Sequence, residues 1–459
     1  MPLFPLIKKI NVPLKNLLPH LQNRNCFWLD SACFDFQPVA FDEQHGFSIL
    51  AFDPTDEKIF PDPTSAEAFC RFFASANLQR GPVTDISLRF TGGWLGFLAY
   101  EAYQFNKLIP FGPSHHKQYP LAIFKYYDTF FYKDHRSDKT LFVSFSPMAQ
   151  KKWAGLQRQI NQAARSSGRI PTFVAGEVLA GTTRSEYQAA FDSIRRALSQ
   201  GDYYELNYTL EFSSPCQGLS WPLYLALREK MKAPMMAYID FSDLVICSAS
   251  PERFFRTCGD VISAFPVKGT SPRGQTQEED RQNLLRLENS EKDRAELLMI
   301  TDLLRNDLGR VCRVGSVRVE TLVQLQTFSH YHHLVSEISG TLLPESSLLD
   351  VFSALFPCGS ITGAPKIKVM QHTDTLEGRA RGVYTGAIGM ISNNGDTDFN
   401  IPIRTIVRNK NEIHFATGGG IVADSACDSE YQECLTKASG LLETLAVFGS
   451  TAPAFAHQK

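Results

Sequence analysis

Three glutamates and one lysine are the residues of this sequence whose types and spacing could do chemistry. Glu296 lies in Asp293-Arg294-Ala295-Glu296, and Glu430 and Glu433 lie in Glu430-Tyr431-Gln432-Glu433 near the other end of the chain. Carboxylates three positions apart share one face of a helix. Hard oxygen ligands from two helices suit Mg2+, with water and substrate completing its shell. The same spacing also fits a solvated face on which Glu433 pairs with Lys437. Lys268, in Phe265-Pro266-Val267-Lys268-Gly269-Thr270, is a rigidly placed amine that becomes a nucleophile if its surroundings lower its pKa. Read alone, it is an exposed lysine before a turn. Gly418-Gly419-Gly420 lets backbone N–H groups close on an anion, and Arg404 could offer a fork to a carboxylate. Read separately, these are a flexible turn and an edge-strand arginine. His332-His333 fits ordinary hydrogen bonding; histidines elsewhere do not have ligand spacing, so zinc is not signalled.

These side chains need elements to hold them. Residues 289–308 read as a long amphipathic helix carrying Glu296, and Asp428 or Ser429 as the cap of a helix carrying Glu430 and Glu433. Lys268 leaves a strand at a Gly-Thr bend, and residues 413–416 form a strand leading into the three glycines. Thr183-Arg184-Ser185-Glu186 is a capping box opening a helix with Tyr187, Phe191, Ile194 and Leu198 on one face and Gly201 at its end. Further towards the N-terminus, residues 27–29 and 47–52 read as strands, and Thr64-Ser65-Ala66-Glu67 as a second capping box. The glycine-broken run 92–97 reads as a close-packed strand. Residues 121–132 and 141–145 read as a hairpin around the polar turn 133–139, and Trp153, Leu156, Ile160 and Ala163 as one helix face. Strands adjoin one another more than they alternate with helices, which predicts an α+β sandwich with antiparallel sheets. The expected division is an N-terminal region 1–165, a linker 166–182, a catalytic region 183–447 and a tail 448–459.

Read together, the motifs are far more specific than any one of them. Ser250-Pro251-Glu252-Arg253-Phe254, Pro266-Val267-Lys268-Gly269-Thr270, Asp293-Arg294-Ala295-Glu296 and Asp302-Leu303-Leu304-Arg305-Asn306-Asp307 occur in that order. They are followed by His333-Leu334-Val335-Ser336, Gly359-Ser360-Ile361-Thr362-Gly363-Ala364-Pro365-Lys366, Gly418-Gly419-Gly420-Ile421 and Glu430-Tyr431-Gln432-Glu433. The set resembles the chorismate-utilising enzymes, and within them the aminodeoxychorismate synthase component I subfamily, which carries lysine at 268 where anthranilate synthases have alanine. Glu205 stands where many relatives have glutamine, and a tyrosine at 384 is also typical of anthranilate synthases.

The resemblance implies a layered αββα sandwich with two mainly antiparallel sheets, and amination of chorismate to 4-amino-4-deoxychorismate for 4-aminobenzoate and folate synthesis. It makes Lys268 a nucleophile forming a covalent adduct at C2, Glu252 the acid at the C4 hydroxyl, and His333 a supporting residue near the ring. Glu296 and Glu433, with Glu430, would hold Mg2+, while Gly269, Thr270, Tyr384, Arg404 and Gly418, Gly419 and Gly420 bind substrate. Mg2+ and Arg273 are the cations expected to lower the Lys268 pKa from about 10.4. Ser31, Pro234, Met235 and Met236 match a tryptophan-binding pocket, although Gln44-His45-Gly46 lacks an arginine found there in a close relative. No Gly-x-Cys-x-Gly glutaminase elbow occurs, so ammonia must come from solution or from a separate glutamine amidotransferase subunit. Anthranilate synthase component I and a non-catalytic paralogue binding chorismate or tryptophan are the competing readings.

Composition agrees with an enzyme acting on a small molecule. At roughly 150 residues per domain, the 459-residue chain would hold about three domains; 43% hydrophobic and 20% charged residues is a globular balance. A net charge of −2 argues against nucleic-acid or anionic-membrane partners. No apolar run reaches the about 18 residues of a membrane span, and the N-terminus has no secretory pattern. The 10 cysteines include no Cys-x-x-Cys pair, as expected of a cytoplasmic protein with reduced thiols.

Overall fold

Alternation along the strands decides which layer each residue enters. In the strand Phe27–Asp30, Phe27 faces one core and Trp28 another; in Met235–Phe241, Ala237 and Ile239 face the first and Met236 and Tyr238 the second. That is the period-2 geometry of a strand buried on both faces, which is why these runs read as continuously apolar. The computed structural model describes residues 5–35, 46–76, 88–106, 109, 111–112, 115–163, 172–328 and 331–451.

Two large sheets stack face to face, one of 13 strands and one of 10. The core between them draws Phe27, Ile49 and Ile246 from the larger sheet and Phe97, Ile123 and Ile388 from the smaller. The helices Ala149–Ala163, Arg184–Ser199, Trp221–Met231 and Cys427–Ala446 cover the outer face of the larger sheet. Ala66–Ser75, Glu291–Leu308 and Leu348–Leu355 cover the smaller. This is the αββα sandwich expected. Strands from the N-terminal third enter both sheets: Phe27–Asp30 pairs antiparallel with Met235–Phe241, and Gly93–Leu98 with Ala387–Ser392. Of the stretch 166–182, residues 166–171 lie outside the described residues, and Phe173–Ala175 and Leu179–Ala180 pair with Glu205–Gly218. Residues 452–459 of the tail and 44–45 of the tryptophan-pocket motif also lie outside them.

Three local expectations are corrected. Thr64 does not cap the helix Ala66–Ser75; Asp62 caps the short turn before it, accepting from the Thr64 N–H. The C-terminal helix starts at Cys427 after Ala426, with no side-chain cap, rather than from Asp428 or Ser429. The three glycines do not form a turn or an amide nest. They lie inside the strand Glu412–Ile421, where Gly418, Gly419 and Gly420 are in register with Thr209, Tyr208 and Asn207. By contrast, the Thr183–Glu186 capping box is formed in full.

Phe97 is fully buried between the sheets, whereas Ile59 is 47% exposed on a strand of the smaller sheet. Phe97→Ala is expected to cost about 3–5 kcal/mol in denaturant unfolding, and Ile59→Ala about 1 kcal/mol or less.

Candidate active site

The site forms where one strand of each sheet brings a charged side chain to the same point. Lys268 lies in Val267–Pro272 of the smaller sheet, next to a bulge at Gly269, whose φ of 72° suits glycine. The helix Glu291–Leu308 packs directly on that bulge, so a Cβ at Gly269 would press into Asp293 and Leu287 at 2.9 Å. Glu205 begins the strand Glu205–Gly218 of the larger sheet. Lys268 Nζ donates to Glu205 Oε1 at 2.6 Å and lies 4.0 Å from Glu296. Burial works to pull the lysine pKa down, but Glu205, Glu296 and Glu252 outweigh it and hold it above its ordinary value. The protein's own groups therefore do not depress it. Arg273 is not beside Lys268 either: it forks onto Asp280 at 2.7 and 2.9 Å and donates to Phe328 O.

Glu252 is almost wholly buried and accepts from Ser360 Oγ at 2.7 Å. Burial raises its pKa to about 7, against the opposing pull of Ser360 and Lys268. A carboxyl poised there can be a general acid near neutral pH. His333 Nδ1 lies 3.1 Å from Gly269 O, an obligate acceptor, so Nδ1 carries the proton; Thr270 Oγ1 is 2.9 Å away. Its buried Nε2 has no partner among the described residues and is left as an acceptor. Burial, then the nearby Arg404, lower the ring's pKa to about 3. His332, by contrast, is tied to Thr327 and Asp280 and is structural.

Two of the three carboxylates expected to hold metal share a lysine. Lys292 Nζ is 3.8 Å from Glu296 and 3.6 Å from Glu430, while Glu433 pairs with Lys437 at 2.6 Å. The bare face of Gly419 looks at Glu430 and Glu433, and a Cβ there would sit 3.6 and 3.7 Å from their oxygens. Among the described residues no three His, Cys, Asp or Glu side chains close into a finished cage. The donors nonetheless fit a hard divalent cation: all are carboxylates, and cationic lysines stand at the positions they face. The helix-face pairing of Glu433 with Lys437 is present as well.

Arg404 precedes the strand Thr405–Asn409 rather than lying in it; its φ is 51° and its guanidinium lies 4.8 Å over the Tyr331 ring. Tyr331 in turn packs on His333 with ring centroids 4.4 Å apart, so Arg404, Tyr331 and His333 form one wall. Tyr384 is buried near Arg381, on a loop joined to the Arg404 segment by Thr385 N–H donating to Pro402 O. Ser31, Pro234, Met235 and Met236 do line one cavity, apart from this site, together with Asp30 and Arg253. At about 20 Å3 it has room for about one water molecule.

Sequence reasoning missed several members. Glu205 was visible only as a departure from glutamine, Ser360 only as a motif letter, and Tyr331 not at all. Arg381 is a hub: it forks onto Glu377 at 2.8 and 3.0 Å and donates to Asn207 O and Ile361 O. The motif residues Asp307 and Lys366 pair with each other at 3.0 Å and support the site from behind.

Comparison with known proteins places this geometry among relatives. A family model described as chorismate binding enzyme matches residues 24–443. Aminodeoxychorismate synthase component 1 of Salmonella typhimurium is 36% identical over 365 residues, covering 79% of each chain. Anthranilate synthase component 1 of Saccharolobus solfataricus is 34% identical, covering 87% of this chain and 90% of its own. The crystal structure of anthranilate synthase component I from Streptococcus pneumoniae superposes with a TM-score of 0.74 at 27% identity, covering 88% of this chain and 94% of that one.

The buried His333 yields a pH prediction. Its folded pKa of about 3 lies below the ordinary histidine value of about 6.5. The unfolded chain therefore binds the extra proton first, and stability contributed by the neutral ring is lost as pH falls from about 6.5 towards about 3. His333→Phe should flatten the loss of melting temperature across that window. In the native chain, ring 15N shifts should show the Nδ1–H tautomer still neutral at about pH 5.

Proposed function

This chain belongs to the chorismate-binding enzyme family, and from that premise we propose that it aminates chorismate to 4-amino-4-deoxychorismate through a covalent adduct on Lys268. The observation that carries the reading is the buried lysine, held by Glu205 at 2.6 Å, with Glu296 at 4.0 Å and a second carboxyl, Glu252, poised near neutral pH. Nζ sheds one proton to Glu205 and its electron pair forms a bond to C2. The ring double bond shifts, and the C4–O bond breaks as Glu252 gives its proton to the departing hydroxyl. The proton on Glu205 then restores Glu252. Ammonia attacks C4 and the C2–N bond breaks, returning the lysine.

Glu296, Glu430 and Glu433 are the residues that would hold Mg2+, which when bound supplies charge neutralisation and orientation for a substrate carboxylate. Arg404, Tyr384, Gly269, Thr270 and the 418–420 strand are the residues we assign to the other carboxylate, with His333 supporting the ring. Ammonia is drawn from a separate glutamine amidotransferase subunit, a reading supported by the name component 1 borne by the Salmonella typhimurium relative. The setting is 4-aminobenzoate and folate synthesis in the cytoplasm; no helix of the described residues is long and apolar enough to cross a membrane.

Anthranilate synthase is the second reading, favoured by relatives of nearly equal identity. Mass spectrometry after mixing the chain with chorismate, Mg2+ and ammonium separates the two. An aminated product that retains the pyruvyl group is expected, and loss of pyruvate would overturn the assignment. With ammonia withheld, intact-protein mass should show an adduct on Lys268 that Lys268→Ala cannot form.

The acid role sets a pH dependence. Glu252 must be protonated to act, so the rate of adduct formation should fall as pH rises through about 7. Glu252→Gln should lower that rate by about 10²–10⁴-fold and remove the inflection. An unchanged profile would exclude Glu252 as the acid.

A further inference from the structure

Glu205 is a charged side chain with no exposure at all. Its Oε1 accepts from Lys268 and, at 3.3 Å, from Asn207 Nδ2; its Oε2 has no hydrogen-bond partner among the described residues. The backbone around it is arranged to keep the carboxylate in place. Glu205 pairs with Ala364, and Tyr204 N–H donates to Ala364 O at 2.8 Å. On the strand alongside, a Cβ at Gly420 would overlap Oε1, and a Cβ at Gly363 would overlap the Glu205 carbonyl. Gly420 thus clears space for the side chain, and Gly363 for the backbone that carries it. A buried carboxylate persists only when cations or donors satisfy it, and here a single lysine does most of that.

We propose that Glu205 captures the incoming ammonium and takes its proton, releasing ammonia beside the ring bound to Lys268; this rests on the amination reading above. Once Nζ is bonded to C2, its direction is set by the ring, and the carboxylate is left with acceptor capacity that one nitrogen does not fill. Ammonium is a compact cation with four N–H donors, so it satisfies a carboxylate with an unpartnered oxygen. At neutral pH ammonia in water is mostly ammonium, which has no lone pair to attack with and must first lose a proton. A carboxylate can bind the cation and accept that proton. A glutamine at the same place would be uncharged and could not accept it.

The step balances. The adduct nitrogen is a protonated secondary amine. Ammonium gives one proton to Glu205 Oε2 and becomes ammonia, whose electron pair forms the C4–N bond. The ring double bond shifts back, and the C2–Nζ bond breaks with its pair remaining on Nζ as a neutral primary amine. Glu205 returns its proton to Nζ, which restores the lysine–glutamate pair of the resting site, and the product leaves with a protonated C4 amine.

The test is steady-state amination by native chain and Glu205→Gln, an isosteric change, with ammonium chloride as nitrogen source. In Glu205→Gln the KM for ammonium should rise about tenfold or more, the size expected for losing a close charge partner, while the KM for chorismate stays near native; adduct formation without ammonia slows as well, because Glu205 also takes the Nζ proton. Glu205→Asp, which keeps the charge, should give an ammonium KM between the two, and it carries the test alone if Glu205→Gln does not fold. A native-like ammonium KM in either variant overturns the inference. So does an equal rise in the KM values for ammonium and chorismate, which would make Glu205 only a support for Lys268. A native chain that makes no aminated product instead overturns the amination reading itself.

Discussion

One buried ion pair bridges the two sheets at the site: Glu205 comes from the larger sheet and Lys268 from the smaller. Removing one partner of such a pair leaves an uncompensated charge in the interior, at a cost of about 3–5 kcal/mol. Much of the surrounding structure follows from keeping the two groups together. The bulge at Gly269 turns the strand beneath Lys268, and the helix Glu291–Leu308 closes over it, carrying Glu296 into range. Gly420 gives the glutamate its space. The tri-glycine segment therefore works by what it omits: two bare positions in a paired strand, Gly419 and Gly420, let carboxylates from two directions approach a surface that a side chain would fill.

Charge is distributed unevenly across this small region, and that unevenness separates the roles. Lys268 is held protonated because three carboxylates surround it, whereas burial raises Glu252 to about 7 and raises Glu296 as well. A carboxyl able to hold a proton near neutral pH thus stands close to an amine that is protonated there. The protonated lysine is in direct contact with a carboxylate oxygen of Glu205. His333, neutral over the whole working range, adds a fixed acceptor on the same wall without adding charge.

The fold was legible to the extent that periodicity carries it. The helix with Tyr187, Phe191 and Ile194 and the strand at 93–98 are found as read, because local pattern and burial agree there. The tri-glycine was misread as a nest because glycine signals a turn from composition alone; only pairing with the strand Glu205–Gly218 makes it a strand. Lys268, Glu252 and the three metal-ligand candidates were singled out through ordered motifs. The sign of the Lys268 pKa shift was not legible, because it depends on Glu205, 63 positions away in sequence, and Arg273 is committed to Asp280 instead. Such pairings exist only after two sheets have stacked.

The N-terminal third, poor in motifs, positions side chains of the candidate site all the same. Glu101, buried and raised to about 7 by burial, accepts from the backbone N–H groups of Arg381 and Gly382 at 2.7 and 3.0 Å. Tyr119 OH accepts from Val383 N–H at 3.2 Å. These contacts fix the loop that presents Tyr384 and orient Arg381, whose guanidinium reaches Asn207 O, two residues beyond Glu205, and Ile361 O, next to Ser360. A chain of hydrogen bonds thus runs from Glu101 to the neighbours of Glu205 and of Ser360, the hydrogen-bond partner of Glu252. Side chains that touch a substrate are constrained in type and show up as motifs. Those that hold the backbone behind them need only one acceptor at one place, and many local sequences supply it.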